Sequence, residues 1–206
     1  EVDRARAAGD ALGPLAGVPF TVKDGLDLAG HPTTYGIPAF ADNVPPIDDP
    51  TIGRLRDAGA IPIAKTNQPE MAMRLATDNP LHGLTRNPWH PDRTASGSSG
   101  GDASAIASGM APIGVGSDLG GSVRNPAYAC GIAATKTSLG RLPVHGTSPA
   151  ASDALLGRQL MAVAGPMARS VADLDAMLRV SVGRHPRDPR SVDVPHDGGD
   201  FVRRAA

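Results

Sequence analysis

Residues 94–127, "TASGSSGGDASAIASGMAPIGVGSDLGGSVRNPA", place two serine- and glycine-rich clusters around an alanine-rich run and a short apolar run. The stretch 101–118 predicts a short helix that stops at Gly109, followed by the strand "PIGVG" (112–116). The second cluster therefore starts where a strand ends, which is the edge at which α/β sheets expose functional groups.

The same alternation of helix and strand occurs earlier in the chain. "VPFTV" (18–22) predicts a strand that leads directly into Lys23. Residues 49–67 predict a helix with Thr51 as its N-cap, followed by the strand "IPIA". The pattern favours an α/β fold with a mixed, largely parallel central sheet flanked by helices.

The C-terminal third predicts one more helix and then a polar segment. Residues 166–180 show an amphipathic pattern, with a capping box formed by Ser170 and Asp173. Residues 183–206 are rich in Pro, Asp and Arg. We therefore expect a core over 1–182 and a polar linker over 183–206. Several strands with few covering helices indicate the incomplete central portion of a larger fold.

Composition excludes several classes of partner. The 206 residues are 40% hydrophobic and 20% charged, as in ordinary soluble domains. The net charge of −1 gives no electrostatic reason to expect nucleic acid or an anionic membrane as a partner. The single cysteine, Cys130, excludes an internal disulfide. No apolar run approaches the ~20 residues that span a bilayer, and no signal-peptide pattern is present. A cytoplasmic location is the resulting expectation.

Metal and nucleotide sites are not expected. The six histidines are scattered, with no pair at i,i+4 spacing. "GVGSDLG" (114–120) follows a strand, but its spacing is not that of a dinucleotide loop. "GSSGG" (97–101) matches the nucleophile-elbow pattern of hydrolases without the apolar strand that must precede it. We expect no metal and no cofactor.

"GSDLGGSVR" (116–124) is the strongest candidate for chemistry. Gly120 and Gly121 allow main-chain N–H groups to converge beside the Ser122 hydroxyl, as acyl transfer requires. A tight turn whose serine caps the next segment explains the same residues. Lys23 is the candidate base, because serine–lysine pairs are a known variant of the catalytic triad. A lone lysine is also compatible with a solvated surface charge.

Three stretches together resemble the amidase signature family of serine hydrolases. They are "GVPFTVKD", "SGSSGGDASAIASGMAPIGVGSDLGGSVRNPA" and "GPMARSVADL". The interval of 24 residues between Ser98 and Ser122 equals that between the family's two catalytic serines. The resemblance runs from about residue 14 to about residue 190, almost the whole chain.

The resemblance implies a Ser–Ser–Lys triad. Ser122 would be the nucleophile, Lys23 the base, and Ser98 the relay between them, following a cis Gly97–Ser98 bond. The implied oxyanion hole consists of the main-chain N–H groups of Leu119, Gly120, Gly121 and Ser122. Lys23 would have to be neutral, although its free pKa is about 10.4.

Supporting roles fall to four further residues. Ser96 or Ser99 would hold the lysine amine together with Ser98. Asp118 and Arg124, which flank the nucleophile, would support its loop rather than take part in the chemistry.

The implied activity is hydrolysis of a small-molecule carboxylic amide to an acid and ammonia or an amine. One alternative is the amidase subunit of a glutamine-dependent aminoacyl-tRNA amidotransferase. Another is an incomplete chain that only binds, since family members are well over twice this length. Homodimerisation and a partner subunit both stay open.

Overall fold

The computed structural model describes residues 2–145, 160–194 and 196. Its strands are β1 (Pro19–Lys23), β2 (Ile61–Thr66), β3 (Ile113–Asp118), β4 (Ala133–Ala134) and β5 (Val163–Ala168). Its helices are α1 (Val2–Ala8), α2 (Pro50–Asp57), α3 (Gly100–Ala107), α4 (Arg124–Cys130) and α5 (Val171–Ser181), with 3₁₀ turns at Pro38–Phe40 and Glu70–Ala72. None of the described helices is long and apolar enough to cross a membrane.

The strands form one mixed sheet in the order β2-β1-β3-β5-β4. Strand β1 pairs in parallel with both β2 and β3, whereas β5 pairs antiparallel with β3 and with β4. The predicted α/β fold with a mixed sheet is confirmed. Because β1 and β3 are parallel neighbours, their carboxyl ends meet at the same edge of the sheet.

Helices cover both faces of the sheet. Phe20 and Val22 of β1 belong to the larger apolar cluster, which also contains Ile52 of α2 and Met177 of α5. The smaller cluster includes Ile106 of α3. Since side chains alternate along a strand, Thr21 and Lys23 of β1 point to the opposite face of the sheet, which α3 covers.

Two details of the predicted helices are wrong. The last helix begins at Val171 rather than 166, because all six residues of β5 are buried and pair with β3. Helix α2 is capped by Asp49, which accepts a hydrogen bond from the Thr51 N–H (3.1 Å). The predicted cap at Ser170 is confirmed, because its hydroxyl accepts from the Asp173 N–H (3.2 Å).

The described part of the expected linker makes hydrogen bonds to the core. The Arg187 guanidinium donates to the Asp48 carbonyl (2.7 Å), and the Val192 N–H donates to the Gly140 carbonyl (3.0 Å). Asp188 is buried and accepts from the Val144 N–H (3.0 Å). These contacts attach residues 187–192 to the same unit as the sheet.

Candidate active site

The site forms where β1, β3 and the start of α3 converge. Strand β1 ends at Lys23 and β3 ends at Asp118. The loop that follows β3 carries Ser122, and Ser98 lies two residues before the first residue of α3. Glycines make the convergence possible, since a Cβ at Gly116 would lie 2.5 Å from the Ser99 Oγ.

Lys23 is fully enclosed and its amine is bound by serines. The Nζ donates to the Ser98 Oγ at 2.6 Å and to the Ser117 Oγ at 3.0 Å. The Ser117 carbonyl lies farther away, at 3.4 Å. The solvated surface lysine that the sequence left open is therefore ruled out, and the predicted contact between Lys23 and Ser98 is present.

The second hydroxyl on the amine was not predicted. It comes from Ser117, not from Ser96 or Ser99, so that expectation was wrong. Ser99 instead links the backbones around the site, because its N–H donates to the Ser122 carbonyl (2.9 Å) and its Oγ accepts from the Ser117 N–H (3.4 Å).

Ser96 has a structural place just before the cis Gly97–Ser98 peptide bond. It adopts a left-handed backbone with φ of 65°, and its carbonyl accepts a hydrogen bond from the Thr77 hydroxyl (2.8 Å). Its N–H donates to the Thr94 hydroxyl (2.9 Å). Ser96 thus fixes the backbone that leads into Ser98.

Burial changes the acid–base behaviour of Lys23. Removal from water lowers its pKa from 10.5 to about 7, while the carboxylates of Asp102, Asp118 and Asp24 act in the opposite direction. Near neutral pH a substantial fraction of the amine is therefore uncharged. An uncharged amine has a lone pair and can accept a proton.

The loop that carries Ser122 is organised by a buried carboxylate. Asp118 accepts from the N–H groups of Gly121 (2.7 Å) and Val123 (3.1 Å). The Arg124 guanidinium forms a two-pronged pair with it, Nε to Oδ2 and Nη2 to Oδ1, each at 3.0 Å. Burial alone would raise the pKa of Asp118, but these hydrogen bonds lower it to about 2. Both residues support the loop, as expected.

This network changes the expected set of oxyanion donors. Because the Gly121 N–H is directed to the Asp118 carboxylate, it is not free to bind an oxyanion, and its inclusion in the predicted set is corrected. The N–H groups of Leu119, Gly120 and Ser122 have no acceptor among the described residues. They remain the candidate donors.

A cavity of about 780 Å³ opens onto these groups. Ser98, Ser117 and Ser122 line it together with Leu119 and Gly120. Its remaining wall is largely apolar and includes Leu26, Tyr35, Met71, Leu75 and Val144. Within the described residues, no group of three or more His, Cys, Asp or Glu side chains could hold a metal ion.

The buried Lys23 amine, the Ser98 hydroxyl and the loop that carries Ser122 thus meet beside one cavity. The family model for amidases matches residues 1–205. The chain belongs to the amidase family. The resemblance to amidase signature enzymes predicted from the sequence is confirmed.

Two curated relatives illustrate the range of amidases similar to this chain. An indoleacetamide hydrolase from Bradyrhizobium diazoefficiens is 48% identical over 193 residues, which are 94% of this chain and 37% of the relative. A glutamyl-tRNA(Gln) amidotransferase subunit from Acidothermus cellulolyticus is 42% identical over 194 residues, which are 94% of this chain and 37% of the relative.

Solved structures agree. Native peptide amidase from Stenotrophomonas maltophilia matches with a TM-score of 0.85 at 35% identity, covering 98% of this chain and 41% of that one. A bacterial aryl acylamidase matches with a TM-score of 0.85 at 33% identity, covering 95% of this chain and 40% of that one. The chain thus spans about two fifths of the length of these relatives.

Ser117 is the residue of the candidate site that the sequence analysis did not identify. It is the next-to-last residue of β3, and Lys23 is the last residue of the neighbouring strand β1. A hydroxyl at the carboxyl end of one strand beside a candidate base at the end of the next is a signal that could have identified it.

Proposed function

We propose that this chain supplies the nucleophile, relay and base of an amidase that hydrolyses a carboxylic amide to an acid and ammonia or an amine. The observation that carries the proposal is the fully buried Lys23 amine, 2.6 Å from the Ser98 hydroxyl on the cavity that Ser122 lines. Membership of the amidase family supports the same reading.

The proposed acylation moves one proton along two hydroxyls. The Ser122 Oγ attacks the substrate carbonyl carbon while its proton passes to the Ser98 Oγ, whose own proton passes to the neutral Lys23 Nζ. The carbonyl π pair moves to oxygen, and the N–H groups of Leu119, Gly120 and Ser122 stabilise the resulting oxyanion.

Collapse of the tetrahedral intermediate then breaks the C–N bond. The Lys23 ammonium returns the proton through Ser98 to the leaving nitrogen, which departs as ammonia or an amine. Water attacks the ester on Ser122 with the same relay as its base, and the acid is released. The proposed sequence of steps needs no cofactor.

The cavity wall suggests which amides to test. Leu26, Met71 and Leu75 offer apolar contacts to an uncharged acyl group, and the relative that is 48% identical is an indoleacetamide hydrolase. We propose small arylacetamides, with indoleacetamide first, as substrates. An aliphatic amide of similar size and a peptide C-terminal amide are the comparisons in the panel.

A covalent probe tests the triad without requiring a known substrate. A fluorophosphonate should label the wild-type chain and not Ser122→Ala, while Lys23→Ala and Ser98→Ala should reduce the labelling rate about 10²–10⁴-fold. Ser108→Ala, which changes an exposed serine at the end of α3, is the matched control. Near-normal labelling of Lys23→Ala would contradict the assignment of the base.

The similarity to a glutamyl-tRNA(Gln) amidotransferase subunit supports a second candidate function, that of an amidase subunit in an amidotransferase. In that case the ammonia released from an amide passes to a partner subunit. Co-purification of a stoichiometric second protein from the source cell would favour it, whereas a monomer or homodimer that turns over small amides would favour the hydrolase. A wild-type chain that is folded by circular dichroism but unlabelled would support a binding role instead.

We also propose a cytoplasmic location. We further propose that residues 183–206, of which 187–192 are hydrogen-bonded to the core, form a polar linker that leads from a core over 1–182 into a further part of the enzyme. The proposal of a further part is supported by the length of the relatives, of which this chain spans about two fifths. Limited proteolysis of the enzyme would test this boundary, because a linker over 183–206 should be cleaved before the core over 1–182.

A further inference from the structure

Asp102 is a buried carboxyl that the proposed steps do not use. It lies in the first turn of α3 with no exposed surface. The Thr21 hydroxyl donates to its Oδ1 at 2.8 Å. The Thr66 hydroxyl faces the same carboxyl but does not reach hydrogen-bond geometry. A fully buried carboxyl with so few partners calls for a compensating charge.

The geometry places that carboxyl beneath the candidate base. Thr21 and Lys23 are two residues apart on β1 and therefore point to the same face of the sheet, the face that α3 covers. Gly114 of β3 leaves the room for this arrangement. A Cβ there would lie 2.3 Å from the Thr21 Oγ1 and 3.3 Å from the Asp102 Oδ1.

We propose that the Asp102 carboxylate is the counter-charge for the ammonium that Lys23 becomes when it accepts the nucleophile's proton. Asp102 is then a positioning residue that acts through Lys23 and does not touch the substrate. The inference rests on the proposed function, because it assumes that Lys23 is the base.

The other carboxylates that act on Lys23 are engaged elsewhere. Asp118 is paired with the Arg124 guanidinium. Asp24 accepts from the Thr34 N–H (3.1 Å), the Thr34 hydroxyl (2.8 Å) and the Gly36 N–H (3.0 Å). Of the three, Asp102 opposes the effect of burial on the pKa of Lys23 most strongly.

Two cations act on Asp102 in return. Burial raises the pKa of Asp102 to about 6, and the positive charges of Lys23 and Lys65 oppose this, Lys23 more strongly. The Lys65 amine on β2 donates to the Asp24 carbonyl (3.0 Å) and to the Leu26 carbonyl. Lys65 is thus bound to main-chain oxygens, and Lys23 is the cation whose charge changes in the proposed reaction.

Counter-charge makes a specific difference to the base. Desolvation without a neighbouring anion would make the amine too weak a base to take a proton efficiently near pH 7. The charge of the Asp102 carboxylate, which faces the same side of the sheet, raises the proton affinity of the amine toward that pH. The rival explanation is that Asp102 merely stabilises the first turn of α3 through the helix dipole.

Titration of the amine separates these explanations without requiring turnover. The ¹³Cε resonance of Lys23 would be assigned by its absence in Lys23→Met and followed against pH in the 206-residue chain. We expect Asp102→Asn and Asp102→Ser to lower the titration midpoint by about one pH unit, a roughly tenfold lower proton affinity. Asp92→Asn, which changes an exposed carboxylate, should leave the midpoint unchanged.

The pH dependence of fluorophosphonate labelling provides a second readout. In Asp102→Asn the pH at which the labelling rate begins to fall on the acidic side should decrease by the same amount. The maximal labelling rate should be a few-fold lower, because the amine is a weaker base. Unchanged midpoints in folded Asp102→Asn and Asp102→Ser would overturn the inference. A wild-type midpoint near the usual lysine value would refute the neutral base itself, which is a different failure.

Discussion

Replacing Lys23 with methionine should stabilise the chain, and the gain should depend on pH. Folding lowers the pKa of Lys23 from 10.5 to about 7, chiefly through burial. At about 1.36 kcal/mol per pKa unit, holding a protonated amine in this site costs on the order of 5 kcal/mol. Methionine has a similar length and no charge, so Lys23→Met removes that cost.

The sign of the pH dependence follows from proton linkage. Below pH 7 the folded wild type carries the full cost, because its amine is protonated in both states. As the pH rises toward 10.5 the folded amine is neutral and the unfolded one loses its proton too, so the cost disappears. The stability difference between Lys23→Met and wild type should shrink by about 2–3 kcal/mol between about pH 7.5 and pH 9.5.

Urea unfolding followed by circular dichroism measures this difference directly. The measurements start above pH 7 so that titration of Asp102 does not contribute to the difference. Its pKa is about 6 in the wild type, and loss of the Lys23 cation in Lys23→Met raises it. Stability curves that run parallel across the range would refute the reasoning. They would mean that folding leaves the lysine's proton affinity unchanged and that the amine is not a neutral base near pH 7.

Two further substitutions test the surroundings of the triad. Ser117→Ala removes one of the two hydroxyls that hold the amine. We expect about tenfold slower fluorophosphonate labelling of Ser122 with little change in the probe's apparent dissociation constant, both measured from labelling rates at varied probe concentration. Arg124→Met removes the cation that holds the pKa of Asp118 near 2. The wild type should lose stability as the pH falls from about 4 to about 2, and this loss should become shallower in Arg124→Met. An unchanged acid-unfolding profile would contradict the role of the pair.

The sequence predicted those parts of the fold that depend on local patterns. Strands β1, β2 and β3 and helix α3 all lie where turn residues and apolar runs placed them. The start of α5 was misplaced, because the apolar residues before its cap at Ser170 are compatible with either a helix or a buried strand. Only pairing with β3, about 50 residues earlier in the chain, makes Val163–Ala168 a strand.

The site was predicted in outline for a different reason. Resemblance identified Lys23, Ser98 and Ser122, but the shell around the amine depends on contacts between distant segments. The hydroxyl of Ser117 reaches Lys23 across 94 residues of sequence. Its place at the carboxyl end of β3 favours it over Ser96 and Ser99 only once β1 and β3 are known to be neighbours in the sheet.

Glycines explain how three segments meet at one amine. A Cβ at Gly101 would lie 2.4 Å from the Asn67 nitrogen, and one at Gly100 would lie 2.3 Å from the Thr77 hydroxyl. Helix α3 can therefore approach the end of β2 and its following loop only because its first turn has no side chains there. That approach brings Ser98 to Lys23 and encloses Asp102 behind it. Close backbone packing thus excludes water from the amine, and exclusion of water is the main cause of its lowered pKa.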